Sequence, residues 1–248
     1  MSKTLISPRF LLTTMSLVFA ACLASAEETT QTKNWGHESE ASVVQVSGNT
    51  ESDSYSVKQK TEYKFDLNKL ASTARYLETK SNGTETAKAW DASLRYEREL
   101  ATKWSAFAQQ SVEHDRYAGF VQREKTELGG KYFFIKSDEE TFFAEVGPGY
   151  QKTLFIDERT EETGTGVVYT EYSKKLSDSA SAKLWAKYTH SFDNKKAWLL
   201  DVEPSLSVIM SKVFSLKISY LLKHHNELRT ANEKRNDTTL TTSLVAKF

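Results

Sequence analysis

From residue 35 onward, apolar and polar side chains alternate with a period of two, the signature of strands whose two faces meet different surroundings. At the C-terminal end, Leu240, Thr242, Leu244, Ala246 and Phe248 alternate with Thr239, Thr241, Ser243, Val245 and Lys247. Upstream, Tyr55, Val57, Gln59, Thr61, Tyr63 and Phe65 alternate with Ser54, Ser56, Lys58, Lys60, Glu62 and Lys64. Helical periodicity is weaker throughout. Marking each run and its punctuation predicts twelve strands, at about 36–47, 54–65, 70–81, 86–99, 104–114, 124–135, 141–153, 163–176, 180–190, 197–209, 214–226 and 238–248. Runs of this length exceed the roughly 5 or 6 residues usual in soluble sheets and suffice to cross a bilayer at a tilt.

The connections alternate in size, with short turns near Asp66, Leu100, Lys136, Ser177 and Met210 and longer loops at 115–123, 154–162 and 227–237. Short turns on one side, long loops on the other and an even strand count describe an all-β, closed antiparallel transmembrane β-barrel with both termini on the short-turn side. One face, exemplified by Trp90, Ala92, Leu94 and Tyr96, is nearly free of charge. The opposite face carries Lys58, Lys60, Glu62, Arg95, Glu97, Lys183, Lys187, Asp201, Glu203, Lys217 and Lys223, which are the expected lumen-facing charges. Acidic Asp201 and Glu203 fall between strands bearing Lys183, Lys187, Lys217 and Lys223, so the lumen is expected to be laced with ion pairs. Glu38 and Glu40 complement Lys247 across the closing seam. Pro148 and Pro204 lie inside predicted strands, where the missing N–H leads us to expect bulges.

The N-terminus reads as a cleaved signal peptide. Lys3 and Arg9 precede the apolar stretch from Phe10 to Leu23, and Ala24-Ser25-Ala26 supplies small residues at a cleavage site. The expected organisation is signal peptide at 1–26, short periplasmic segment at 27–34 and barrel at 35–248. Phe19-Ala20-Ala21-Cys22 offers a rival reading, a lipoprotein box with Cys22 as the lipidated residue. Cys22 is the one cysteine of the 248-residue chain, so a mature chain cut after Ala26 has no disulfide and no thiol nucleophile. That mature chain has 31 Lys and Arg against 33 Asp and Glu, a formal charge of −2, which points to no nucleic-acid partner. The mean hydropathy of −0.54 and the absence of a further long apolar run exclude a bundle of membrane helices.

Leu240, Leu244, Ala246 and the terminal aromatic Phe248 resemble the signal that outer-membrane barrel assembly machinery reads on a last strand. Several blocks resemble one family: Trp35 with the Ser47-Gly48-Asn49-Thr50 turn, the stretch from Glu113 to Gly119, Gly147-Pro148-Gly149-Tyr150, and the strand from Asp237 to Leu244. Together they are similar to the YdiY-like, salt-induced outer-membrane proteins, a domain-of-unknown-function family of Gram-negative bacteria. The resemblance implies an outer-membrane barrel surrounded by lipid, and it brings no cofactor, substrate or catalytic residue. His114 stands where this family usually has Arg.

Candidate chemistry is sparse. Asp115 and Arg116 read as a salt bridge ordering the 115–123 loop, against the alternative of a ligand-contacting pair. His190 beside Ser191, and His224-His225 near Asn226, superficially supply hydrolase parts. Adjacent residues of a regular strand point to opposite faces, so neither pair forms a local site. We therefore expect no enzyme, no catalytic residue and no metal site. The leading expectation is a narrow pore for ions or small solutes, or an envelope-stress protein. The alternatives are a non-conducting structural or surface-binding barrel, then an outer-membrane lipid hydrolase, and a soluble periplasmic β-protein. Oligomeric state is left open by the sequence.

Overall fold

The computed structural model describes residues 34–46, 52–227 and 235–248. The expected signal peptide, residues 27–33, Cys22, the Ser47-Gly48-Asn49-Thr50 turn and most of the 227–237 loop lie outside the described residues. Twelve strands form in chain order: β1 (Trp35–Val46), β2 (Ser52–Phe65), β3 (Asn68–Ser81), β4 (Thr84–Ala101), β5 (Trp104–Asp115), β6 (Phe120–Lys136), β7 (Glu140–Phe155), β8 (Thr160–Lys175), β9 (Ala180–Ser191), β10 (Trp198–Ile209), β11 (Phe214–His225) and β12 (Asn236–Lys247). Each pairs antiparallel with its chain neighbours, and β1 returns to β12 to close the barrel. The closing register places Glu38 opposite Lys247 and Ala41 opposite Leu244.

The distribution of polarity is inverted relative to a soluble sandwich. Leu94, Leu128, Val146, Ile218 and Leu240 are exposed on the outside, while Glu97, Glu127, Lys131 and Glu145 are buried within. The outside is apolar because a bilayer replaces water there, and the inside is where polar groups find partners. Aromatic side chains gather toward both strand ends. Near the short turns, Trp104 packs at a tilt against Tyr132, Tyr132 meets Phe134 edge to face, and Phe134 stacks on Phe142. Near the loops, Trp198 meets Tyr188 and His224, and Trp90 stacks on His114. Two such belts flanking an apolar band define the membrane-spanning zone.

Turn chemistry follows the sequence closely at one hairpin. Asn82 and Gly83 both take positive φ, 48° and 74°, as the two central positions of a tight hairpin demand. Elsewhere the connections are shorter than expected. β5 runs through Asp115 and β6 begins at Phe120, and β7 and β8 reach Phe155 and Thr160, so the 115–123 and 154–162 loops shrink to 116–119 and 156–159. Phe120 and Phe155 oppose each other in register and are 3% and 5% exposed, which carries the ladder past the expected boundary. Register shifts between Glu113 and Asp115 and between Phe120 and Gln122 absorb the irregularity. Asp115 does not pair with Arg116, since adjacent strand-end residues diverge; its carboxylate instead accepts the Ala118 N–H at 2.9 Å and orders the turn.

The prolines also depart from expectation. Pro148 stays in register opposite Gly166 on β8, and Pro204 opposite Leu184 on β9. On the other flank, the β6·β7 ladder passes from Glu127↔Gly149 to Gly130↔Val146, and the β10·β11 ladder from Val202↔Leu222 to Ser205↔Ser219. The strands leave out two pairs beside each proline without a bulge, because keeping register preserves the alternation of faces.

Candidate functional site in the barrel lumen

Close approach of β6 and β7 begins the construction of the lumen. A Cβ on Gly147 would lie 1.8 Å from the Leu128 carbonyl oxygen, and one on Gly129 would lie 2.7 Å from the Phe107 ring. Glycine at 129 therefore lets the Phe107 ring lie flat against the wall. Arg95 stacks over that ring, with its guanidinium carbon 3.9 Å from the centroid. So placed, Arg95 donates from Nη2 to Glu145 Oε1 at 2.7 Å and from Nη1 to Oε2 at 3.1 Å, bridging β4 to β7 over the two strands between.

A connected network grows from this clasp. Glu97 accepts from Arg95 at 3.2 Å and from Lys131 at 3.3 Å, and lies 3.5 Å from Lys69. Lys69 continues to Glu62 at 3.9 Å, and Glu62 pairs with Lys60 at 3.0 Å. Lys131 sits 4.0 Å from the Phe143 ring centroid and 3.8 Å from Glu145. A second long-range pair, Lys187 on β9 with Glu127 on β6 at 2.7 Å, again passes over two strands. Strands three places apart lie about 14 Å apart in a flat sheet, so these contacts come from the curvature of the closed barrel. Buried ions are costly unless paired, and here each core charge has at least one partner.

The remaining expected residues fall around these pairs. Lys183 binds Glu171 at 3.3 Å, and Lys217 binds Glu40 at 3.2 Å and Glu203 at 3.6 Å. Lys58 shares a cavity wall with Glu40, Glu203 and Lys217. Asp201 stands opposite Lys187 on β9 and Lys223 on β11. Lys183 and Lys187 thus find their closest carboxylates on β8 and β6, not on β10. Lys247 and Glu38 meet at 3.1 Å across the closing seam. On the outer side of β12, Leu240 is exposed, while Leu244 and Ala246 face Leu216 and Phe214 of β11; Phe248 follows one residue after the strand.

Two cavities occupy the lumen, one of about 710 Å³ and one of about 380 Å³. They share Lys60, Thr73, Gln109, Tyr169, Glu171 and Lys187 as wall, so they are contiguous. The larger reaches the short-turn end, where Asp138, Glu139 and Lys175 line it. Taken together their walls carry eleven Lys and Arg and eleven Asp and Glu. Reading the charges alone overlooked the lumen aromatics Phe107, Phe133, Phe143, Tyr169 and Trp185, although each occurs in phase with the lumen charges on its strand. Ser191 and His190 do not meet: Ser191 Oγ accepts the N–H groups of Asp193 and Asn194 at 3.2 Å, and His190 stacks on Tyr188. His114 donates from Nδ1–H to the Val121 carbonyl and so braces the bulged end of β5.

A closed antiparallel barrel with an apolar exterior and a charged, cavity-bearing interior is an outer-membrane β-barrel. Residues 39–248 match the family described as Protein of unknown function, DUF481, and the chain belongs to that family. It is 26% identical over 168 residues to the protein of Escherichia coli (strain K12) called Uncharacterized protein YdiY, an alignment covering 67% of this chain and 64% of that relative. The chain thus spans somewhat less than two thirds of that relative's length. In fold it is similar to an outer membrane channel from Pseudomonas putida F1, with a TM-score of 0.55, 10% identity, and coverage of 90% of this chain and 98% of that one. It is also similar to the NanC porin, with a TM-score of 0.51, 8% identity, and coverage of 86% and 97%.

Proposed function

We propose that this barrel is a narrow passive pore for ions and small polar solutes. The observation that carries the reading is the pair of contiguous lumen cavities, which share six wall residues and reach the short-turn end. A barrel built only as a scaffold has no need of water-accessible space lined by charge. Balanced walls with eleven groups of each sign give at most weak preference between cations and anions. Conduction here is water and ion movement past side chains that pair with one another, so the passage is small.

A second reading has its own support. Arg95–Glu145 and Lys187–Glu127 cross from strand to distant strand and fill the lumen between them. In a non-conducting barrel these pairs are the plug, and function moves to the loops. Neither reading assigns a catalytic step, since the Ser191 hydroxyl is engaged by backbone N–H groups and no base approaches it among the described residues. Both take membrane lipid as the surroundings and the barrel assembly machinery as the reader of β12.

Liposome swelling separates them. Refolded, heat-modifiable protein in liposomes should admit salts and small polyols and exclude larger oligosaccharides. Liposomes that swell no faster than protein-free controls, with the barrel folded, would support the plugged scaffold.

A further inference from the structure

Trp185 is the lumen tryptophan. Trp35, Trp90 and Trp104 are exposed on the outer surface, and Trp198 packs at a tilt against Tyr188 and His224 in the loop-side belt. Those positions match the membrane-interface role of tryptophan. Trp185 instead lies on β9 between the lumen residues Lys183 and Lys187 and lines the larger cavity. An interior filled for stability alone would use a residue that needs no partner for an N–H. The indole N–H of Trp185 has no hydrogen-bond partner among the described residues.

The surroundings of this indole are specific. Tyr169 stacks on it at 6.0 Å with the rings 28° apart, and the aromatic ribbon continues through tilted contacts with Phe143 at 5.9 Å and on to Phe133 at 5.4 Å. Phe143 is buried and capped by Lys131, so the inner half of the ribbon is support. Tyr169 and Trp185 are half-buried, and the larger cavity touches both. Opposite Trp185 in register stand Glu171 on β8 and Glu203 on β10. The cavity wall adds the hydroxyls of Thr73, Ser173 and Ser205.

We propose that this wall binds short neutral saccharides, which deepens the pore reading by naming the class of solute. A sugar ring presents a C–H face that packs on an aromatic plane and equatorial hydroxyls that exchange hydrogen bonds with carboxylates, ammoniums and serines around its edge. A purely apolar ligand makes no use of the hydroxyls and charged groups at the rim, and a simple ion makes no use of the aromatic plane. The cavity carries eight lysines against seven carboxylates, so it offers little to a ligand with a net charge. A space of about 710 Å³ admits a disaccharide.

Isothermal titration of the refolded barrel in detergent tests the site without requiring conduction. The probes are maltose and maltobionate, its carboxylate counterpart, and the variants are Trp185→Ala, Trp185→Phe and the outer-face control Trp198→Ala. Maltose should bind the parent at millimolar or tighter affinity, and maltobionate no tighter. Trp185→Ala should weaken maltose binding about tenfold, Trp185→Phe less so, and Trp198→Ala should leave it unchanged. Absence of maltose binding to the folded parent, equal binding by parent, Trp185→Ala and Trp185→Phe, or binding of maltobionate alone would overturn the proposal. The same preparation in a planar bilayer keeps the two readings apart. A conducting barrel that ignores maltose loses the saccharide site and keeps the pore, whereas a silent barrel that binds maltose through Trp185 loses the pore and keeps the site.

Discussion

Arg95 on β4 and Glu145 on β7 are joined by two hydrogen bonds, of 2.7 and 3.1 Å, although β5 and β6 lie between their strands. Both are largely withdrawn from solvent, with side-chain exposures of 17% and 9%. The pair therefore acts as a strut across the lumen, and its removal has consequences for both stability and passage.

Truncating one member leaves the other charge buried. Glu145→Ala should lower the stability of the refolded barrel by about 3 kcal/mol, and Arg95→Met with Glu145→Met should recover most of that loss. Urea titration followed by the gel-mobility difference between folded and unfolded barrel measures it. In the pore reading the double variant also conducts more than the parent.

At Gly147 the β6·β7 contact leaves room for glycine only. Gly147→Ala forces a Cβ to 1.8 Å from the Leu128 carbonyl, so it should sharply reduce the yield of folded barrel. Gly130→Ala, where a Cβ meets nothing within 4 Å, should fold like the parent. Refolding yield on gels distinguishes the two, and equal yields would contradict the close approach.

The two faces make opposite demands on charge. Leu128 sits mid-strand on β6 and is exposed outward, so Leu128→Arg should cost about 2 to 4 kcal/mol in a bilayer. Leu128→Ile should cost little. A small effect of Leu128→Arg in lipid would place this face away from the acyl chains.

Ion pairs of the lumen should differ in weight by their exposure. Lys247–Glu38, at 63% and 37% side-chain exposure, is worth about 0 to 1 kcal/mol. Lys217 holds Glu40 and Glu203 at 16% exposure, so Lys217→Ala should cost about 3 kcal/mol and Lys247→Ala a fraction of that. Parallel urea titrations decide this, and equal losses would contradict the burial of Lys217.

Much of the barrel was legible because a lipid-facing strand has only two environments. Leu240, Leu244 and Ala246 against Ser243, Val245 and Lys247 is a pattern that a period of two exposes directly, and the Glu38–Lys247 seam followed from the charges of two terminal strands. What alternation cannot convey is curvature. Lys187 was matched with its strand neighbour Asp201, yet its closest carboxylate is Glu127, three strands away around the wall. Pro148 and Pro204 were expected to bulge, because local chemistry names the missing donor but not the cost of losing register over a whole strand. Trp185 is not among the residues that charge alone singles out, although its parity with Lys183 and Lys187 places it inside.

Single-channel recording of the refolded, heat-modifiable barrel in a planar bilayer, under a salt gradient, tests the pore most directly. Contiguous and charge-balanced cavities predict small discrete conductance steps with a reversal potential close to zero. A folded barrel that inserts and stays silent, in the parent and in the Arg95→Met, Glu145→Met variant alike, would contradict it.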